Sequence, residues 1–245
     1  MKECAPTPGE ISSRVTRPGG VSFSDIAPTY DFLNHLLSLG CDFAWRRRAA
    51  GLLAGYRPGR VVDLATGTGD LAVSLLRNNC VGEALLALDI SEPMLAIARR
   101  KVQRGGYADR VRFACEDATQ TSLPGDSFDA VTMAFGIRNT PDVAKTLDEM
   151  YRLLAKAGTA VILEFSLPAH RMIRAGYLAY LRFAVPLIGG LISGNRQAYR
   201  YLDSSIEAFH QPAEFCRLME TAGFTNVQAT PLTLGVATLY SGSKR

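Results

Sequence analysis

The stretch Val61–Ala72 reads VVDLATGTGDLA, and it decides the fold. Two β-branched residues, Val61 and Val62, enter a short apolar run that reaches an acidic residue at Asp63. A glycine-rich turn follows at Gly67-Thr68-Gly69. Beyond it, Leu71, Ala72, Leu75 and Leu76 recur at helical spacing. The order is strand, tight turn, helix. Glycine lets backbone approach a ligand closely, and a helix N-terminus offers free N–H groups. This is the opening unit of a nucleotide-binding α/β sheet.

The glycine spacing leaves two ligand classes open. Gly67-x-Gly69-x-x-Ala72 also satisfies the dinucleotide fingerprint, whose third glycine can be alanine. Asp63 separates them. A carboxylate at the end of the first strand, pointing into the crevice, repels a pyrophosphate. It does not repel the cationic amino-acid portion of a ligand such as S-adenosylmethionine.

On either side of this unit the chain alternates. Strands are predicted at Ala84–Asp89, Val111–Cys115, Phe128–Phe135 and Ala160–Phe165. Helices are predicted from Gly69, over Glu92–Arg104 with Pro93 in the first turn, and over Pro141–Ala155. Such alternation means a parallel, doubly wound sheet. Upstream, Ser24 or Asp25 can cap a helix carrying Ile26, Tyr30, Leu33, Leu36 and Leu37, ended by Gly40. Asp42 can cap a second helix through Trp45 and Arg46-Arg47-Arg48, a charge run that reads as a solvated face. Residues 1–20, rich in Pro and Gly, read as a loose tail. After a helix at Pro212–Ala222, residues Asn226–Thr230 and Val236–Ser241 read as an antiparallel pair.

Leu167–Tyr201 differs from the rest. It is apolar and aromatic, contains no Asp or Glu, and carries Arg171, Arg174, Arg182, Arg196 and Arg200. It reads as helices broken at Pro186 and Gly189-Gly190. The layout is one domain over 21–245, with N-terminal helices at 23–54 and a helical insertion at about 167–207 forming a lid.

Bulk properties exclude several classes. The chain has 245 residues, 47% hydrophobic and 20% charged, which suits one large α/β domain. A net charge of +4 is too small to argue nucleic acid by itself. The five cysteines are odd in number and lack metal or redox spacing, so they read as reduced thiols of a cytoplasmic protein, with no metal site. No apolar signal region opens the chain and no apolar run is long enough to span a bilayer.

Asp89 ends the second strand 26 residues after Asp63, near the distance at which an acidic residue meets a ribose. Capping the next helix is its other reading. Asp117-Ala118 follows the third strand, where a carboxylate can accept an adenine amino group and the next backbone N–H can donate to the ring. A local turn is the plainer role. The fourth strand ends Ala134-Phe135-Gly136-Ile137-Arg138-Asn139. The Asn/Asp-Pro-Pro-Tyr/Phe box of adenine and glutamine N-methylases is absent. An arginine and an asparagine face the cleft instead, with an ion pair closing the next helix as the other reading of Arg138.

Several segments together carry a more specific signal: FSDIAPTYDFLNHLLSLG at 23–40, DLATGTGDL at 63–71, FGIRNTPD at 135–142, EMYRLL at 149–154, LEFSLP at 163–168, YRYLDSSI at 199–206 and LTLGVATLYSG at 232–242. In these the chain resembles the ubiquinone/menaquinone biosynthesis C-methyltransferase family from Phe23 onward. The resemblance implies a class I methyltransferase fold, with a mostly parallel seven-stranded sheet and an antiparallel C-terminal strand. It implies S-adenosylmethionine as cofactor and a prenylated quinol as substrate, demethylmenaquinol ahead of a ubiquinone precursor. Carried over by position, Thr68, Asp89, Asp117 and Ala118 contact the cofactor beside Asp63, Gly67 and Gly69, with Tyr30 folding over it. Ala134 stands where some members have serine, and Ala65 replaces the first glycine of the general methyltransferase pattern.

A quinol carbon becomes nucleophilic when the adjacent hydroxyl loses its proton. The protein must then hold near-attack geometry, exclude water and stabilise the phenolate. Arg138 suits the phenolate, with Asn139 orienting it or the cofactor. His210 is the candidate base, and water beside Arg138 is the alternative. The acid-free lid fits a long lipid tail and a transient, peripheral contact with the inner face of the cytoplasmic membrane. A homodimer remains open, and no nucleic-acid partner is read. The competing functions are a nicotinamide-dependent oxidoreductase and a non-catalytic isoprenoid-binding protein.

Overall fold

The structure, a computed structural model, describes residues 31, 35, 36, 38–187 and 203–245. Helix α1 (Cys41–Ala54) precedes β1 (Arg60–Asp63), α2 (Asp70–Arg77), β2 (Ala84–Asp89), α3 (Glu92–Arg104) and β3 (Val111–Cys115). Then come β4 (Phe128–Ala134), α4 (Val143–Leu153), β5 (Leu154–Phe165) and α5 (Arg171–Ala179), the last continued by a π-helical turn at Tyr180–Ala184. Residues 203–208 are helical, and α6 (Pro212–Thr221), β6 (Thr225–Leu232) and β7 (Ala237–Ser243) follow.

The seven strands form one sheet in the order β3-β2-β1-β4-β5-β7-β6. Pairs among β1 to β5 are parallel, and β7 runs antiparallel to both β5 and β6. This is the doubly wound sheet that the alternation predicts, with the one reversed C-terminal strand that the resemblance implies. Connections turn around between β1 and β4, and ligands of open α/β sheets bind at such a switch point.

Alternation in β1 explains the two cores. Val61 packs with Trp45, Leu53, Leu71 and Leu75 of α1 and α2. Val62 packs with Leu147, Met150 and Phe215 of α4 and α6. Strands buried on both faces need apolar residues at successive positions.

Most boundaries fall within a few residues of the sequence reading, and one junction departs further. The fifth strand begins at Leu154 rather than Ala160, and α4 ends at Leu153. Leu154 pairs with Phe128 and Thr159 with Ala130, and the register shift between them absorbs Ala155–Gly158 as a bulge. LeuAlaLysAla carries helix propensity, and pairing with β4 overrides it.

The charge run on α1 is corrected at one residue, since Arg47 and Arg48 are exposed as a solvated face requires. Arg46 is buried, 8% exposed, and pairs with Asp42 one turn earlier. Asp42 is no cap: Gly40 holds the cap position with φ 74°, and Asp42 lies buried in the first turn. Its oxygens accept from Ser38 Oγ at 2.7 Å and meet His35 Nδ1 at 2.6 Å. Burial pushes its pKa up, but Ser38, Arg46 and His35 together hold it below the ordinary value. Asp70 at the start of α2 joins this network through Arg46 Nη2 at 3.6 Å and His35 Nε2 at 3.7 Å. Its other oxygen pairs with Lys101 of α3, whose Nζ also reaches Asp31 Oδ2 at 2.6 Å. His35, Asp42 and Asp70 are close enough to resemble a metal cluster, but Arg46 and Lys101 supply its positive charge. The N-terminal segment is thus tied by ion pairs to the helices that follow the glycine turn.

Candidate active site

The switch point is lined by two backbone strains of the same kind. Ala65 after β1 has φ 49°, and Phe135 after β4 has φ 56°. Left-handed backbone at a non-glycine residue costs about 1–2 kcal/mol and concentrates at functional sites. Ala65 therefore adopts a glycine-like backbone without being glycine. Gly136 compensates: a Cβ there would lie 2.9 Å from the Ala65 Cβ. The loops after β1 and β4 touch, and together they floor the crevice.

The two glycines of the turn have different duties. A Cβ at Gly69 would lie 2.9 Å from Ala98 Cβ, so this glycine lets α2 approach α3. Gly67, with φ 58°, has open space around its Cβ position. Its N–H donates to Asp89 Oδ2 at 2.8 Å. Asp89 Oδ1 accepts from Ser91 N at 2.8 Å, so the carboxylate joins the glycine turn to the start of α3.

Asp63 is corrected in place. It does not open into the crevice but is fully buried beneath the turn. Its oxygens accept from Thr66 Oγ1 at 2.6 Å and Thr132 Oγ1 at 2.7 Å. Burial raises its pKa to about 6, with the bonds from Thr132 and Thr66 pulling back. Asp63 braces β1 against β4 and shapes the turn from below.

Thr68 is held by two charged neighbours. Its Oγ1 donates to Asp31 Oδ1 at 2.5 Å and accepts from Lys101 Nζ at 3.1 Å. Asp31 adjoins Tyr30, which lies outside the described residues. Asp117 Oδ1 accepts from the N–H and the Oγ1 of Thr119, both at 2.8 Å, and Ala118 is buried beside it. Asp89 and Asp117 thus stand at the carboxyl ends of β2 and β3, which are neighbours in the sheet. Carboxylates beside open space at Gly67 suit a ligand rich in hydroxyl, amino and ammonium groups. That is the chemistry of S-adenosylmethionine, and the residues fit it.

On the other side of the switch point, Ala134 is half-buried and pairs with Leu163. Asn139 Nδ2 donates to Phe135 O at 3.1 Å. Arg138 Nη1 donates to Phe135 O at 2.8 Å and to Glu164 Oε1 at 2.6 Å. The Arg138 side chain is 5% exposed, and its guanidinium lies 5.2 Å from the Phe165 ring centre. The ion pair is therefore with the end of β5 rather than with the following helix. Glu164 was missed in the sequence, where its signal is a lone acid inside the apolar run Val161–Phe165.

His210 stands apart, before α6. It is one-third exposed and its Nδ1 lies 3.0 Å from Glu214 Oε1. Among the described residues no hydrogen bond, ion pair or ring contact joins it to Arg138 or Asn139.

The segment read from the sequence as a lid is described in part. Arg171 is exposed on α5, whereas Arg174 Nε donates to Pro168 O at 2.8 Å. Arg182 pairs with Asp203 and Glu207, so it ties the lid to the helical residues 203–208. Met172, Phe183 and Leu187 are exposed, at 79%, 74% and 55%. Arg196, Arg200 and Gly189-Gly190 lie outside the described residues.

Comparison with known proteins agrees with this geometry. A solved S-adenosylmethionine-dependent methyltransferase from Thermotoga maritima superposes with a TM-score of 0.63 at 20% identity, covering 91% of this chain and 98% of that one. At that identity the likeness concerns the fold. A demethylmenaquinone methyltransferase of Thermus thermophilus is 48% identical over 222 residues, 91% of this chain and 99% of the relative. A ubiquinone/menaquinone biosynthesis C-methyltransferase of Geobacter sulfurreducens is 45% identical, covering 91% and 86%. The model of the ubiE/COQ5 methyltransferase family matches residues 13–244. A sheet in this strand order, a glycine turn braced by Asp89, and a match running almost end to end together place the chain in the ubiE/COQ5 methyltransferase family.

Proposed function

We propose that the protein methylates a ring carbon of a prenylated quinol, with demethylmenaquinol as substrate and a ubiquinone precursor as the second candidate. The observation that carries this reading is the meeting of two loops. The segment holding Arg138 and Asn139 abuts the turn that holds Gly67 and Thr68, through Gly136 against Ala65. Substrate-side and cofactor-side residues therefore share one crevice.

Bound S-adenosylmethionine supplies an electrophilic methyl group there. Asp89 and Asp117 would hold it through carboxylate oxygens, with Thr68 and the Gly67 and Ala118 backbone beside them. Arg138 and Asn139 serve the quinol. Arg138 brings positive charge to the oxygen that becomes a phenolate, and Asn139 keeps the loop in place through Phe135 O. Phe135, Phe165 and Trp45 form an aromatic cluster with ring centres 4.6–6.1 Å apart, which keeps water from this end of the cleft.

The lid extends the reading to the membrane. No helix among the described residues is long and apolar enough to cross a bilayer. Met172, Phe183 and Leu187 with Arg171 give an apolar and basic surface suited to an anionic interface. We place the protein in the cytoplasm, in transient contact with the inner membrane face where a long-tailed quinol resides. The same surface is the candidate for self-association into a homodimer.

Labelled methyl transfer to demethylmenaquinol and to the ubiquinone precursor tests the assignment. Mass spectrometry of quinones from a strain lacking the protein tests it in the cell. Accumulation of the demethylated naphthoquinone is expected, and an unchanged quinone pool would remove the reading.

A further inference from the structure

A buried acid inside an apolar strand needs a partner. Glu164 is such a residue: it is fully buried on β5, opposite Thr238 of β7. Its two oxygens are unequally engaged. Oε1 accepts from Arg138 Nη1 at 2.6 Å and from Phe165 N at 2.8 Å. Among the described residues Oε2 has one long contact, the Arg138 backbone N–H at 3.3 Å. Arg138 is also incompletely satisfied: its Nε is buried and has no hydrogen-bond partner among the described residues. Orphaned buried N–H groups are rare, and one on the loop after β4, at the switch point of the sheet, asks for an acceptor. The pair thus keeps one oxygen able to take a proton and one N–H able to meet a negatively charged oxygen.

We propose that Glu164 is the base for the quinol hydroxyl, with Arg138 holding the charge as it moves. The proposal rests on the quinol reading above. The quinol O–H bond breaks, and its proton forms an O–H bond at Glu164 Oε2. The electron pair stays on the ring oxygen, which becomes a phenolate facing Arg138. Charge is conserved: cation, carboxylate and neutral quinol become cation, carboxylic acid and phenolate. No net charge appears in the buried site, so the low dielectric does not oppose the step. Glu164 ends each turnover ionised again, and the one proton released overall leaves to water.

The other titratable groups around this pair do not compete for the role. Tyr177 of α5 feels the charges of Arg138, Glu164 and Asp203, and burial raises its pKa. Tyr240 of β7 feels Glu164 and Cys216 and is raised by burial in the same sense. Both phenols stay protonated. His210 is turned to Glu214.

The test is methyl transfer by Glu164→Gln with two substrates. One is demethylmenaquinol with a short prenyl tail. The other is a halogenated 1,4-naphthalenediol with the same free ring carbon and a hydroxyl already ionised at the assay pH. The variant should lose about 100-fold or more on the ordinary quinol, the scale of general-base catalysis. It should lose less than about tenfold on the pre-ionised diol, while cofactor affinity by calorimetry stays within about twofold. Equal loss on both substrates, or turnover within about threefold of the parent on the ordinary quinol, overturns the proposal. If the glutamine variant does not fold, Glu164→Asp gives the same ratio, because a withdrawn carboxylate slows proton removal alone. A parent enzyme that methylates neither substrate would instead strike the quinol reading, which separates the two failures.

Discussion

Asp89 Oδ2 accepts the Gly67 N–H at 2.8 Å, so the end of β2 and the turn after β1 form one hydrogen-bonded unit. The residue proposed to meet the cofactor also shapes the loop beside it. Asp89→Ala is expected to weaken S-adenosylmethionine binding by about 1.5–3 kcal/mol, the scale of a charged hydrogen bond. Calorimetry with the cofactor alone checks this, and unchanged affinity rejects the placement.

Arg138 and Glu164 are 5% and 0% exposed at their side chains, so removing one charge strands the other. Arg138→Ala is expected to cost about 3–5 kcal/mol of stability and to reduce turnover more than cofactor affinity. The double variant Arg138→Met, Glu164→Met should recover most of the stability and none of the activity. Urea unfolding beside methyl transfer reads both quantities. A double variant as unstable as the single one would show that the pair does not act as a unit.

Asp63 gives the fold a pH signature. Its pKa of about 6 lies above the ordinary 3.8, so folding takes up a proton between those values. The associated stability is full below pH 3.8 and is lost as the pH rises to about 6. Above that, burial of the charge opposes folding by about 3 kcal/mol. Asp63→Asn removes the titration, so parent stability should fall relative to the variant between about pH 4 and 6. Parallel pH curves in urea unfolding would show that the buried carboxylate does not titrate there.

His210 faces Glu214 at the outside of α6. His210→Gln is therefore expected to change turnover by less than about tenfold, below the usual range for a general base. A loss of 100-fold or more with unchanged folding would return His210 to the mechanism.

The lid surface carries a membrane test. Met172→Ser with Arg171→Glu should lower binding to anionic vesicles, since each basic residue near such a surface contributes about 1 kcal/mol. Cofactor affinity should not move, and salt should weaken the parent more than the variant. Equal vesicle sedimentation of both proteins would leave this surface without a lipid role.

The alternation of strands and helices was legible because the central strands β1, β2, β4 and β5 are apolar at successive positions and the helices between them repeat at 3.6. The Asp89 and Gly67 positions were legible for a local reason, since the turn and the strand end carry their own chemistry. Arg46 was not, because its charge is satisfied by Asp42 and by Asp70, which only the fold brings across. The orientation of Asp63 was hidden likewise: its partner Thr132 lies on β4, 69 residues away. β5 was read short because Leu154–Gly158 pairs through a bulge that helix propensity conceals. Glu164 could have been found by asking what a single acid does within an apolar strand.

The reversed strand has a consequence for assembly. β7 is inserted between β5 and β6 although it follows both in the chain, so β6 has no neighbour until β7 is in place. The two must enter as a preformed hairpin, closing onto β5 by long-range pairing, which is slow compared with the local βα units. Until then β5 is an open edge through Val161–Phe165, a fully apolar segment but for Glu164. An unpaired apolar edge invites association with other chains. Substitutions that weaken the hairpin should therefore appear first as insoluble protein during expression, with soluble molecules of normal activity beside it.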